Sequence, residues 1–160
     1  MKTIRELVLA GTIIGLGMLL GAGIYESLVN VPNFVKGQET LDHARQFWSA
    51  ANPGNYFRIV APATQVLALL SLILSWKRPA GRRGLLLAAF LLVVAADVIT
   101  FTYHYPRNAL LFSDPMSQSP ETLERAAGEW GTMNWARNVL CFAAISAALT
   151  AHARREQENQ

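Results

Sequence analysis

The chain has 160 residues, is 52% hydrophobic and only 16% charged, and carries a net charge of +3. That is one domain's length with too little charge for an ordinary soluble surface, and the single cysteine excludes an intrachain disulfide or a CxxC redox centre. The positive excess does not point to nucleic acid, because it sits at the edges of long apolar runs where lipid headgroups account for it.

Four runs suit a crossing of hydrocarbon, which takes about 20 helical residues. They are residues 6–29, 58–76, 85–105 and 134–152. The predicted fold is all-α: one integral membrane domain over residues 1–160, a four-transmembrane-helix up-down bundle with a short amphipathic interfacial helix in each of the two outer loops. Lys2 and Arg5 precede the first run, Lys77, Arg78, Arg82 and Arg83 fill the short link between the second and third, and Arg154 and Arg155 follow the fourth. The positive-inside rule then predicts a multi-pass cell-membrane protein with cytoplasmic N and C termini.

In chain order, the first run carries Gly11 and Gly15, then Gly17 and Gly21, two small-xxx-small pairs on different faces. They predict close approach to two neighbours and offer a surface for oligomerisation. The run is read as retained, not as a cleaved signal peptide, since its apolar stretch is long for one. It ends at a break over Asn30–Pro32, with Glu26 and Asn30 on one face. The first outer loop predicts an interfacial helix with Thr40 as N-cap, Leu41, Ala44, Phe47 and Trp48 as its apolar stripe, and Trp48 as a headgroup anchor. Asn52-Pro53-Gly54 predicts a turn, after which the second run opens at Arg58 with Pro62 in or near its first turn and Gln65 one turn deeper.

The third run is hydrocarbon from Leu85 to Ala96, and then Asp97, Thr100, His104 and Asn108 fall on one helical stripe. Pro106 predicts an end or a kink there. Ser119 with Pro120 marks a helix start, whose apolar stripe through Leu123, Ala126, Ala127 and Trp130 predicts a second interfacial helix stopping near Gly128 or Gly131. The fourth run opens with Asn134, Arg137, Asn138 and Cys141 on one stripe; Cys141 by itself is read as a small packing residue.

Threading the runs up and down brings Glu26, Arg58, Gln65, Asp97, His104, Asn108, Asn134, Arg137 and Asn138 to one outer level, while the cytoplasmic half contributes almost nothing polar. Charges in hydrocarbon cost about 2.5 kcal/mol or more unless paired. One reading is a structural ion pair of Arg137 with Asp97 or Glu26; the other is a pocket with Glu26, Asp97, His104 and Arg137 as its reactive groups. Tyr25, Tyr103, Tyr105, Trp130 and Trp135 lie at the same level, either as an interfacial belt or as pocket walls. The pocket reading places Tyr25, Arg58, Tyr103, Asn108, Trp130, Asn134 and Asn138 against a hydrophobic small molecule. No cofactor motif is present. A metal ion near His104, with Glu26 and Asp97 or His43 as further ligands, stays open without a fixed-spacing motif behind it.

The run Tyr103 to Leu110, followed by Trp130 and then Asn134 to Asn138, resembles the anthrone oxygenase-like family of small four-span integral membrane proteins, most of them domains of unknown function. Pro106 and Asn108 match the family's P-x-N after the third span, Trp130 its tryptophan, and Asn134 and Arg137 its N-x-x-R. The resemblance implies a four-helix membrane bundle and, from the members that name the family, oxidation of anthrones by dioxygen without a classical cofactor. The leading expectation is an oxygenase or oxidoreductase acting on a hydrophobic aromatic substrate. The alternative is a non-enzymatic membrane module that binds lipid or a small molecule, or a structural subunit of a membrane complex.

Overall fold

The computed structural model describes residues 2–34, 38–113 and 118–157, and all of their regular structure is helical. The elements are α1 (Lys2–Tyr25), a π-helical turn π1 (Glu26–Asn30), α2 (Val31–Phe34), α3 (Gln38–Phe47), α4 (Pro53–Leu74), α5 (Ala80–Ile99), π2 (Thr100–His104), α6 (Tyr105–Asn108), π3 (Ala109–Ser113) and α7 (Pro120–Gln157). Several join end to end, so the described residues form five continuous rods, four long and one short. Thr3–Phe34, Pro53–Leu74 and Ala80–Ser113 are long and apolar enough to cross a membrane. α7 lacks that character in composition, since Asn134, Arg137 and Asn138 interrupt its apolar stretch.

The proline breaks expected at Pro32 and Pro106 do not occur. Proline lacks an N–H and crowds the carbonyl four residues back, which normally ends or kinks a helix. Here the turn before each proline is widened: Val31 N–H donates to the Glu26 carbonyl, and Tyr105 N–H to the Thr100 carbonyl, both five residues back. Such a π turn absorbs the mismatch and lets the rod continue. The first rod therefore reaches Phe34 and the third Ser113. Both turns carry residues singled out above, Glu26 and His104.

Other boundaries also move. Asn52-Pro53-Gly54 is a helix start and not a separate turn: Asn52 Oδ1 accepts from the Gly54 N–H at 2.9 Å, and Pro53 takes the first helical position. Pro62 accordingly lies in the helix interior. Thr40 is inside α3 and does not cap it. Ser119 does cap α7, its hydroxyl accepting from the Thr122 N–H at 3.3 Å, but α7 then runs 38 residues without stopping at Gly128 or Gly131, so the expected second interfacial helix is its first part. The third connection is likewise shorter than expected.

The four long rods form an up-down ring in which α1 packs on α4 and α7, and α5 packs on α4 and α7. Glycines set two of these approaches. A side chain at Gly15 would run into Thr64 of α4, whereas Gly17 faces Ile145 of α7; Gly21 faces nothing within 4 Å. The basic end is closely packed. Leu16, Ala144, Ala148 and Ala151 are fully buried, and the Thr12 and Ser71 hydroxyls bond at 2.9 Å between α1 and α4. That end is not free of polar groups, contrary to expectation: buried Arg82 faces Glu6 at 3.7 Å, and Glu6 pairs with Arg5 at 3.0 Å. The buried arginine belongs to the first turn of α5, which takes in half of the basic link. At the other end a second apolar cluster, including Phe34, Leu41, Leu111, Leu123 and Trp130, caps the ring.

Candidate functional site

Between the two clusters lies a cavity of about 860 Å³. α4 and the upper part of the α5 rod form its sides, α1 and α7 its back, and α3 with Phe34 and Phe112 its roof. Glu26, Arg58, Asp97, His104, Asn108, Trp130 and Arg137 all line it, as the pocket reading required.

Widened turns and bonds to neighbours hold these groups. Glu26 is buried and accepts from Asn30 Nδ2 at 2.7 Å, the same-face pair expected from their spacing. Asp97 accepts from Gln65 Nε2 at 2.5 Å, a bond that joins α5 to α4. Asn108 Oδ1 accepts from the Trp130 indole N–H at 2.8 Å, joining the α5 rod to α7.

Arg137 is 8% exposed. One of its Nη atoms donates to the Thr100 hydroxyl at 3.3 Å, and its guanidinium lies over the Phe57 ring at 4.7 Å. Among the described residues no carboxylate reaches ion-pair distance of it, so the structural pair with Asp97 or Glu26, one of the two readings, is not formed. A buried cation that borders the cavity and keeps its charge unneutralised by direct contact can meet a developing anion there.

His104 is 1% exposed, and neither ring nitrogen has a hydrogen-bond partner in the protein. Its ring is stacked on Trp130, with centroids 4.7 Å apart and planes inclined by 26°. The neighbour that orients the ring is therefore this indole. Buried polar atoms are nearly always hydrogen-bonded, so two nitrogens that the protein leaves unengaged behind a cavity wall are a candidate point of contact for a ligand.

Other expected residues stand elsewhere. Asn134 and Asn138 do not line the cavity. Both donate to the Ser27 hydroxyl, at 2.7 and 3.0 Å, and Asn134 also donates to the Gly23 carbonyl at 3.0 Å. They lock α7 to the first rod. Tyr25 is 57% exposed and borders a smaller cleft of about 370 Å³ beside the cavity. Tyr103 lies under the Arg107 guanidinium at 3.4 Å, and Arg107 pairs with Glu129 at 2.5 Å. Trp135 and Tyr105 are exposed, in keeping with a belt, although Tyr105 also touches the cavity rim. His43 is exposed on α3 and is not among the lining residues. Among the described residues no three His, Cys, Asp or Glu side chains assemble into a possible metal site, so the set of His104, Glu26, Asp97 and His43 does not converge.

Sequence reasoning missed several wall residues, Arg45, Trp48 and Phe57 among them. Arg45 pairs with Asp42 at 2.6 Å and donates to the Leu111 carbonyl at 2.8 Å; the i,i+3 pair alone reads as a solvated surface. Trp48 turns inward against Phe34 and Phe112, at 5.9 and 5.4 Å, and is not the expected headgroup anchor; Phe47, 82% exposed, points outward instead. Phe57 signalled nothing. Cys141 is buried in the core as expected, and also touches the cavity floor.

A family model for anthrone oxygenase matches residues 47–147. Comparison with curated proteins and with solved structures gives no match. The matched stretch runs from the end of α3 through α4 and the whole α5 rod into α7. It takes in Arg58, Asp97, His104, Asn108, Trp130 and Arg137, whereas Glu26 lies outside it. With more than half of its residues inside that match, the chain belongs to the anthrone oxygenase family.

Proposed function

We propose that this protein is a membrane oxygenase that oxidises a flat, hydrophobic aromatic substrate of the anthrone type with dioxygen. The observation that carries the reading is His104: a deeply buried imidazole at the wall of an apolar-sided cavity, with both nitrogens unengaged by the protein. Glu26 and Asp97 already accept hydrogen bonds, which makes His104 the best placed general base of the three.

In this reading the substrate's rings lie among Phe57, Phe101 and Trp130. His104 takes a proton from the activated methylene carbon, and the electron pair spreads onto the ring oxygen as an enolate. Arg137 faces that oxygen and stabilises the charge, with the amide of Asn108 as a second donor. The carbanion carbon forms a bond to dioxygen, giving a peroxide that takes up a proton. Loss of the remaining carbon-bound proton, with cleavage of the O–O bond, leaves a carbonyl and releases hydroxide, protonated to water. One dioxygen is consumed; one oxygen atom enters the quinone and the other leaves as water.

The reading also makes α7 the fourth span and puts both termini on the cytoplasmic side of the cell membrane. The gathering of Arg5, Arg82 and Arg154 at one end of the ring supports that orientation. Adding an anthrone to purified protein and following dioxygen uptake and quinone absorbance tests the activity. Wild type should exceed the spontaneous rate, and His104→Ala should lose about 10²- to 10⁴-fold. No uptake above the protein-free rate, or full activity in the His104→Ala variant, rules the reading out.

A further inference from the structure

The cavity is open at one side. α4 packs along α1 and along α5 as far as the Gln65–Asp97 bond, but makes at most marginal contact with the rod above Ile99. The gap is rimmed by Arg58 and Pro62 on α4 and by Phe101 and Tyr105 on the opposite rod, all of them exposed and all lining the cavity. Three of the four rim residues are apolar or aromatic, so the opening suits a ring system arriving from the bilayer.

Arg58 is the exception. Among the described residues it has neither an ion-pair nor a hydrogen-bond partner. It stands about two turns, roughly 10 Å along α4, above Gln65, in the second turn of that helix. The acids inside are engaged: Asp97 by Gln65, and Glu26 by Asn30. The wall is thus cationic at the rim, aromatic in the middle and polar at the base. A guanidinium fork matches the two oxygens of a carboxylate.

We infer that Arg58 is a specificity-determining residue, and that the substrate is a flat ring system bearing one carboxylate, with the rings lodged between α4 and the α5 rod and the carboxylate held at Arg58. This rests on the oxygenase reading for the rings and adds the acidic group. Because Arg58 is exposed, its replacement leaves the packing of the bundle alone.

Binding, not turnover, tests it, so that a failure of the oxygenase chemistry shows up separately. Protein in phosphatidylcholine vesicles is dialysed against anthraquinone-2-carboxylate and its neutral carboxamide, with protein-free vesicles as the reference. The carboxylate should bind wild type about fivefold more tightly than the carboxamide, the upper end for an exposed ion pair. Arg58→Gln should erase that preference, and Arg58→Lys should keep part of it. Equal binding of the two compounds by wild type overturns the inference, as does a preference that survives Arg58→Gln. The same holds if neither compound binds, an outcome that also removes the cavity's role. If the advantage of wild type over Arg58→Gln vanishes once phosphatidylglycerol is mixed in, the guanidinium serves a lipid phosphate and the inference falls.

Discussion

The two ends of the bundle use the same four rods to opposite effect. At the basic end, small residues draw the helices together: Gly15 against Thr64, and fully buried Ala144, Ala148 and Ala151 along α7. At the other end, α4 stands apart from the upper α5 rod, and long aromatic side chains roof a space of about 860 Å³. Small side chains let backbones approach and remove any room for a ligand. At the other end bulky aromatic residues roof the space and do not fill it. Close packing is concentrated below and the cavity above, and single substitutions should affect one end without the other.

After His104→Ala, the largest effect is expected from Arg137→Gln. If this cation stabilises an enolate in the open end, its loss should lower the rate of anthrone oxidation by about 10²- to 10³-fold and leave thermal unfolding in detergent close to wild type. A collapse of folding with it would place Arg137 with the structural residues. Next comes Gly15→Leu, which forces a side chain into Thr64. It should cost about 3 kcal/mol, the upper part of the range for overpacking, read by denaturant titration with circular dichroism. Retention of wild-type stability would show that α1 and α4 are not held by that contact.

Asn134→Ala sharpens the boundary between the two ends. It removes the donors to Ser27 and to the Gly23 carbonyl, and should cost about 1–3 kcal/mol of stability while the folded fraction keeps its affinity for an aromatic ligand. A selective loss of affinity would return Asn134 to the site. Smallest of all is Gly21→Ala, on the same helix as Gly15 but facing open space, which should change stability by no more than about 0.5 kcal/mol. A large change there would mean that this face is covered, by a neighbouring protein or a second copy.

Much of the cavity's lining was legible. The stripe Asp97, Thr100, His104 and Asn108 lines the cavity together, and Trp130 and Arg137 meet it from α7. Asn134 and Asn138 were misplaced because they share a broad stripe with Arg137 in the sequence. Adjacent helical residues point about 100° apart, so Asn138 turns to α1 where Arg137 turns to the cavity. Arg45 and Trp48 could not be found, since nothing in a short polar helix says that it folds over the open end as a roof.

By itself the sequence determined the helices and their apolar character. In hydrocarbon every backbone polar group must be satisfied within its own segment, so long apolar runs become rods whatever surrounds them. It also determined which polar residues occur at one height, because rise along a rod is fixed by residue count. Only the tertiary structure decided which way each of them faces. A π turn holds more residues than an α turn and so rotates everything beyond it relative to an unbroken helix. The two prolines that looked like breaks therefore became continuations, with Glu26 and His104 standing in the widened turns before them.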